Sequence, residues 1–268
     1  IRDRSLALWG AFKKVCIADT IALYVNRIFE LQEPSGAMIW AATLGFTIQI
    51  LTDFAGYTDI ARGTARMLGF ELMENFKNPY IAKNPSDFWR RWHVSFSTWI
   101  RDYLYIPFGG SRGTFANTTK ATFGAMLLSG FWHGASWTFV LWGAYHAAIL
   151  TGYRLVTRRI PKEIRKSTWG APFAVSIMFV FTVVGWLIFR ETNISQLVYY
   201  FTLNPLNGSS DQFLVAGIMF AMCLACAIPL ILALAVEKLV LPRMKESIWF
   251  QPMMTTFWGF CILSIMIM

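Results

Sequence analysis

Long apolar runs broken by short clusters of charge dominate this chain, and the lengths of those runs define its elements. Four stretches come near the roughly 20 apolar residues that cross a bilayer as a helix. They are residues 37–51 continuing toward Tyr57, 169–189, 213–236 and 250–268. The opening segment, residues 6–29, differs: Lys13, Lys14, Asp19 and Arg27 interrupt it, so an amphipathic helix at the membrane interface is expected. Between Lys120 and Arg154 about 33 residues carry no charge apart from histidine. As one helix they would reach ~50 Å, too long for a ~30 Å hydrocarbon core. They are also too few for two full crossings and a turn. Gly134 and Ser136 permit an interruption at Trp132-His133-Gly134-Ala135-Ser136. The chain is expected to enter, break and return, or to cross obliquely, with His133 deep in the membrane at the break.

A histidine at such a break is a functional candidate, because its ring nitrogens need partners that lipid does not offer. A structural imidazole bonded to a neighbouring carbonyl is the plainer alternative. His146, inside an unbroken helix from Trp137 to Thr151, reads as structural.

A second informative pattern runs from Asn84 to Tyr103. Asn84 can cap, Pro85 suits the first helical position and Asp87 complements the positive helix end. At ~100° per residue Trp89, His93, Phe96 and Ile100 share one stripe with Trp92 and Trp99 at its edge, opposite Arg91, Ser95, Thr98 and Asp102. Aromatic stripes usually pack, yet a lone imidazole among rings is unusual for packing alone. Gln49, Asp53 and Tyr57 follow i, i+4, i+8 spacing. Asp53 is expected to pair with a base or histidine, or to anchor a helix end. Asp59, Arg62 and Arg66 read as a solvated or interfacial charge cluster. Pro107, Gly109, Gly110 and Gly113 break the chain after the second pattern. This is no phosphate loop, since the Lys-Ser/Thr ending is absent.

Composition agrees with a lipid-embedded chain. Of 268 residues 56% are hydrophobic and 15% charged, and aromatics reach 16%, against about a quarter charged in soluble domains. The net charge of +9 sits between apolar runs, so it fits lipid headgroups and topology and not nucleic acid. Arg154, Arg158, Arg159, Lys162, Arg165 and Lys166 put their loop on the cytoplasmic side. Residues 190–211, with one base, two acids and the turn signals Asn204-Pro205 and Asn207-Gly208, face outward. Lys238, Arg243 and Lys245 return the chain inside. Cys223 and Cys226 lie in an apolar helix without other ligand types nearby and read as small hydrophobes; no metal site is expected. No repeat or second domain is evident. The chain starts at Ile1 without Met and ends in an apolar run, which suggests a fragment.

The stretches Asp53–Gly63 (DFAGYTDIARG), Glu74–Tyr80 (ENFKNPY), Pro85–Gly113 (PSDFWRRWHVSFSTWIRDYLYIPFGGSRG) and Phe131–His146 (FWHGASWTFVLWGAYH) together resemble the membrane-bound O-acyltransferase (MBOAT) family. Within it they look closest to the bacterial branch that serves O-acetylation of alginate and related extracellular polysaccharides. The resemblance implies an all-α integral membrane protein, a ring of tilted transmembrane and re-entrant helices around a central tunnel. Residues 1–268 would form a single, partial domain lacking N-terminal helices and the extreme C-terminus. The family's histidine in its WHG motif matches His133, and that in its RWH motif matches His93. Trp89, Arg90, Trp92, Trp132 and Asp53 are weaker candidates for binding or orienting substrate.

The resemblance further implies acetyl-CoA as the donor substrate and no bound cofactor. It implies an extracytoplasmic acetyltransferase partner, a polysaccharide-synthesis complex and residence in the bacterial inner membrane. Peptidoglycan O-acetylation and D-alanylation of teichoic acid are alternatives on the same fold. Intramembrane His and Asp with broken helices also suit a proton-coupled transporter, and a noncatalytic scaffold for an export complex is a third class. His133 is expected to act as general base toward a hydroxyl, with His93 orienting a reactant or steadying oxyanion charge.

Overall fold

The computed structural model describes residues 2–158 and 170–236. The expected span at 250–268, Lys238, Arg243 and Lys245, and the basic residues from Arg159 to Lys166 lie outside them. The described residues form helices, turns and irregular segments, without strands. By internal contacts the chain divides into two compact units: residues 1–73 with 203–268, and residues 74–202.

In the first unit, α1 (Arg2–Ala11), a widened π-helical stretch (Phe12–Asp19) and α2 (Thr20–Phe29) follow one another without a turn. They pack along α3 (Gly36–Met67). α3 continues well past the expected end near Tyr57, and at 32 residues reaches ~48 Å. Its N-terminus is capped by Ser35, whose Oγ accepts the Met38 N–H at 3.4 Å. Its buried threonines return their hydroxyls to the preceding turn: Thr43, Thr47 and Thr52 bond the carbonyls of Ile39, Thr43 and Ile48 at 2.7–2.8 Å. None of these three hydroxyls is thereby stranded in an apolar interior. α1 and α3 cross where Gly10 meets Gly56. A Cβ on either would lie 2.6–2.7 Å from the other's carbonyl oxygen, so the backbones themselves touch. α10 (Ser210–Ala235) completes this unit behind a capping box of Ser209 and Gln212. Cys223 is buried against the Ala41 carbonyl, as expected of a small hydrophobe.

Of the two readings of the Asp59 cluster, solvated or interfacial, the solvated one is overturned. Asp59 and Arg62 are not solvated. Their side chains are only 15% and 14% exposed, they bond at 3.1 Å, and Asp59 also pairs with the buried Lys13. Arg66 turns away to Glu71. Lys13 comes from a different helix and its ammonium needs a buried counter-charge, so the cluster folds inward.

The second unit opens with an irregular segment and a short 3₁₀ turn, Pro79–Ile81. α4 (Pro85–Trp89), α5 (Val94–Ile100) and a π-helical turn (Arg101–Tyr105) follow. The glycine-rich stretch after Pro107 turns through positive φ at Gly109, Gly110 and Gly113. Two long helices come next, α6 (Phe115–His133) and α7 (Trp137–Thr157), packed as a hairpin. α8 (Ala171–Arg190) and α9 (Ile194–Thr202) close the unit.

The interruption expected near residue 134 is present, and Ser136 caps α7 through the Thr138 N–H at 3.3 Å. Glycine again permits contact, since a Cβ at Gly130 would strike the Phe139 carbonyl and one at Gly143 the Met126 carbonyl. α3, α8 and α10 are long and apolar enough to cross a membrane. Phe173, Ile177 and Val180 on α8, and Leu214, Ile218 and Ile231 on α10, are exposed, as lipid-facing side chains should be.

Candidate active site

The candidate catalytic and substrate-binding residues, Asp53 aside, fall in the second unit. His133 is the last residue of α6, and Ser136 Oγ, three residues on, donates to the Thr192 carbonyl just after α8 at 3.0 Å. The tip of the hairpin is therefore tied to the end of a third helix. Five rings surround the His133 imidazole: Phe96, Trp132, Phe139, Trp142 and Phe189 at centroid distances of 5.0–6.2 Å. Trp142 and Phe189 meet it nearly edge-on, at 87° and 84°.

His93 departs from expectation. The helix predicted across Asn84–Tyr103 begins as foreseen, with Asn84 Oδ1 accepting the Asp87 N–H at 2.8 Å, but it stops at Trp89. α5 restarts at Val94, and His93 stands between them in the left-handed region, φ 42°. The cause is non-local. Asn75 accepts the Val94 N–H on its carbonyl at 3.0 Å and the Ser95 N–H on its side chain at 2.9 Å. The first amides of α5 are thus satisfied from outside the helix. Arg91 bonds Asp87 at 2.9 Å and the Lys77 carbonyl at 3.1 Å, holding the break open. The stripe through Trp89, His93, Phe96 and Ile100 is thereby cut in two. A non-glycine residue in this region costs of order 1–2 kcal/mol, which the Asn75 bonds offset.

The break turns His93 onto Phe76 and Phe96, with centroids at 6.3 and 5.2 Å. Because Phe96 is also 6.0 Å from His133, the two imidazoles are at most about 11 Å apart, the sum of those centroid distances. His93 lies outside the candidate spans, and burial lowers its pKa, favouring the neutral ring.

The other candidates take distinct places. Trp92 is 6% exposed and stacks on Phe88 and Tyr80 with Trp186 at 4.6 Å, a packing role. Trp132 is exposed and touches Phe96 and His133. Trp89 meets Trp142 and His146 edge-on, and its buried indole N–H finds no acceptor among the described residues. His146 is buried among Phe88, Trp89 and Trp142, consistent with its structural reading. Asp53, in the first unit, pairs with Lys14 at 2.6 Å, so a lysine supplies the base expected for it. No group of three His, Cys, Asp or Glu is gathered among the described residues.

Beside the imidazoles lies a cavity of about 440 Å³ that sequence reasoning did not foresee. Phe96, Val94, Ile100, Ala125, Met126 and Leu150 give it apolar walls, and Arg90, Arg101 and Arg154 line it as well. Arg101 is neutralised by Asp102 at 2.7 Å. Arg154 is held by the Thr122 hydroxyl at 2.6 Å and lies over the Tyr105 ring. Among the described residues no carboxylate lines the cavity, so the site favours an anion attached to an apolar arm.

Comparison with known proteins identifies the family. The model of the membrane-bound O-acyltransferase (MBOAT) family matches residues 18–193. The chain belongs to that family. Among MBOAT relatives, probable alginate O-acetylase AlgI of Azotobacter vinelandii is 47% identical over 186 residues, covering 69% of this chain and 36% of its own length. The peptidoglycan O-acetyltransferase of Helicobacter pylori is 37% identical over 69% of this chain and 35% of its own length. The teichoic acid D-alanyltransferase of Bacillus subtilis is 34% identical over 54% of this chain and 39% of its own length. The chain thus spans little more than a third of each of these MBOAT relatives. His93, His133 and every residue lining the cavity fall inside the family match.

Proposed function

We propose that this chain carries the reacting centre of a membrane O-acyltransferase that takes acetyl from a thioester, acetyl-CoA, and passes it to a hydroxyl. The product is an O-acetylated extracellular polysaccharide such as alginate, made through an extracytoplasmic partner at the bacterial inner membrane. The supporting observation is the convergence of His93 and His133 on Phe96 beside an arginine-lined cavity. Family membership favours acyl transfer over the transporter and scaffold readings. The highest identity among the relatives named here is to one named for alginate O-acetylation.

The chemistry follows from the groups present. A hydroxyl is a weak nucleophile at neutral pH, and a base that removes its proton as it attacks accelerates the step by about 10²–10⁴. His133, neutral in its ring of aromatics, accepts that proton while the alkoxide oxygen bonds to the thioester carbon. The tetrahedral oxyanion collapses, the carbon–sulfur bond breaks, and the thiolate recovers the proton from His133. His93 donates a hydrogen bond to the developing oxyanion or orients the hydroxyl. Arg90 and Arg154 attract the phosphates of the donor, whose pantetheine arm lies along the apolar wall. Asp53, tied to Lys14, remains a weaker candidate for an orienting role.

The test is transfer of labelled acetyl from acetyl-CoA in proteoliposomes. His133→Ala is expected to lower the rate at least 100-fold with expression and melting temperature near wild type. Activity retained by a folded His133→Ala protein removes the base role. Substrate moved across the membrane without thioester consumption favours a transporter.

A further inference from the structure

The α6–α7 hairpin has two unlike ends. At the open end Arg154 bonds Thr122, and Arg158 lies over the Phe115 ring at 4.6 Å. His133 stands eleven residues beyond Thr122, ~16 Å along α6. The tip that follows it is tied to the Thr192 carbonyl just after α8. From Phe131 to Phe139 the tip has no Asp, Glu, Lys or Arg, and it displays three exposed aromatic side chains, Phe131, Trp132 and Trp137. The two tryptophans differ in what they touch. Trp137 is the first residue of α7 and 75% exposed, and among the described residues it makes no ring contact with His133 or Phe96. Trp132 is 62% exposed, yet its ring lies 5.1 Å from His133 and 4.5 Å from Phe96. It is open to a visiting molecule and in contact with the imidazole assigned the hydroxyl proton. A tryptophan that only anchors a helix end in an interfacial belt has no need of that contact.

We propose that Trp132 is the acceptor platform: the pyranose ring bearing the hydroxyl lays its C–H face on the exposed indole, which brings that hydroxyl to His133. This rests on the acyltransferase reading and adds to it a binding surface and a chemical class for the second substrate. The donor's phosphates belong with the arginines of the cavity, and Arg154 fixes that cavity's charged end near Thr122. The positive-inside bias predicts the arginine end in the cytoplasm, so the tip is left to an acceptor arriving from outside. An indole suits the task. It offers a large apolar face with a negative π surface, and the slightly positive C–H bonds on one side of a sugar ring meet such a face. It also has only two side-chain torsions to immobilise, so little entropy is lost on binding. Phe96 packs on both Trp132 and His133, so a single ring sets the platform against the base.

The experiment measures initial rates of labelled-acetyl transfer from acetyl-CoA to a uronic-acid hexasaccharide in proteoliposomes of the full chain, with both substrates varied. Trp132→Ala is expected to raise KM for the hexasaccharide at least tenfold and to leave KM for acetyl-CoA within about twofold of wild type. Trp132→Phe, which keeps a ring face, should recover much of the acceptor affinity. Trp137→Ala, on the same tip, should leave both constants within about twofold. A Trp132→Ala protein whose kcat or thermal stability falls while KM for the hexasaccharide stays put overturns the proposal, since the indole then only packs. An equal rise in acceptor KM for Trp137→Ala overturns it too, because any interfacial aromatic would then serve. Should Trp132→Ala lose its fold, Trp132→Phe against Trp132→Leu decides, as the two side chains are both apolar and only one has a ring. If wild-type protein consumes acetyl-CoA but labels no hexasaccharide, the sugar platform falls and acyl transfer stands. If it consumes no thioester, the acyltransferase reading falls and takes this inference with it.

Discussion

Asn75 has no chemistry of its own to offer, yet it sets the direction of His93. Its carbonyl and side-chain oxygen accept the first two amides of α5. A continuous helix would have sent those amides to the carbonyls of residues 90 and 91 instead. Asn75→Ala removes one acceptor and is expected to cost about 1 kcal/mol, the usual worth of a helix cap. The accompanying loss of acetyl transfer should exceed that seen for a surface alanine. Asn75→Asp keeps the acceptor and should retain both properties. Thermal unfolding in detergent and the transfer assay check this, and an Asn75→Ala protein matching wild type in both would show that the break stands without the bond.

A similar logic applies to Lys13, buried beside Asp59. Asp59→Asn leaves an ammonium with weakened compensation and is expected to cost roughly 3 kcal/mol. Adding Lys13→Met should restore much of that loss. Neither interaction is legible along the sequence, because the partner lies 46 residues away for Lys13 and about 20 away for the amides Asn75 caps. What periodicity does reveal are local facts. His133 stands out in the sequence because Gly134 and Ser136 announce a break within the same ten residues, whereas Trp89–Val94 contains neither glycine nor proline to announce one.

At the scale of elements, backbone contact between helices depends on glycine, and position decides what each glycine does. Gly130 and Gly143 face carbonyls across the α6–α7 hairpin, and Gly10 and Gly56 face each other across α1 and α3. A Cβ at Gly152 or Gly217 would instead meet nothing within 4 Å. Gly143→Leu must push α7 away from α6 and so displace Trp142 from His133. Its transfer activity should fall at least tenfold together with thermal stability. Gly152→Ala, in the open interior of α7, should raise stability by about 0.5–1 kcal/mol through helix propensity alone. Equal effects of the two substitutions would mean that the hairpin is not closely packed. The hairpin itself was legible, since the apolar run was too long for one crossing. Its full length was not: Thr114 starts α6 with a cap to Asn117, and α7 runs to Thr157 past Arg154, a half-buried arginine bonded to Thr122. Charge along a sequence reads as the end of a membrane segment, and here it instead lines a cavity.

For the whole molecule, the apolar helices were the most legible feature, because lipid imposes a length and a composition that few other settings require. α3, α8 and α10 each cover an expected run, α3 overshooting its end. The cavity was not legible, since its walls come from several separate helices. Sidedness can be argued from charge. α8 has 20 residues, ~30 Å and one hydrocarbon thickness. The chain before it carries Arg154 and Arg158, while the chain after it holds Asn204 to Ser209 with no base. The Asn204 turn closes through its own side chain, which accepts the Leu206 N–H at 2.9 Å, so a cysteine at Asn207 should be tolerated. The positive-inside bias predicts Asn207 outside and Arg158 in the cytoplasm. In a background with Cys16, Cys223, Cys226 and Cys261 replaced by alanine, Asn207→Cys should react with a membrane-impermeant maleimide in intact spheroplasts. Arg158→Cys should react only after lysis. The reverse pattern would place the charged end of the cavity, at Arg154, on the outer face. A donor made in the cytoplasm could not then reach it, and the proposed direction of acetyl transfer would have to be inverted.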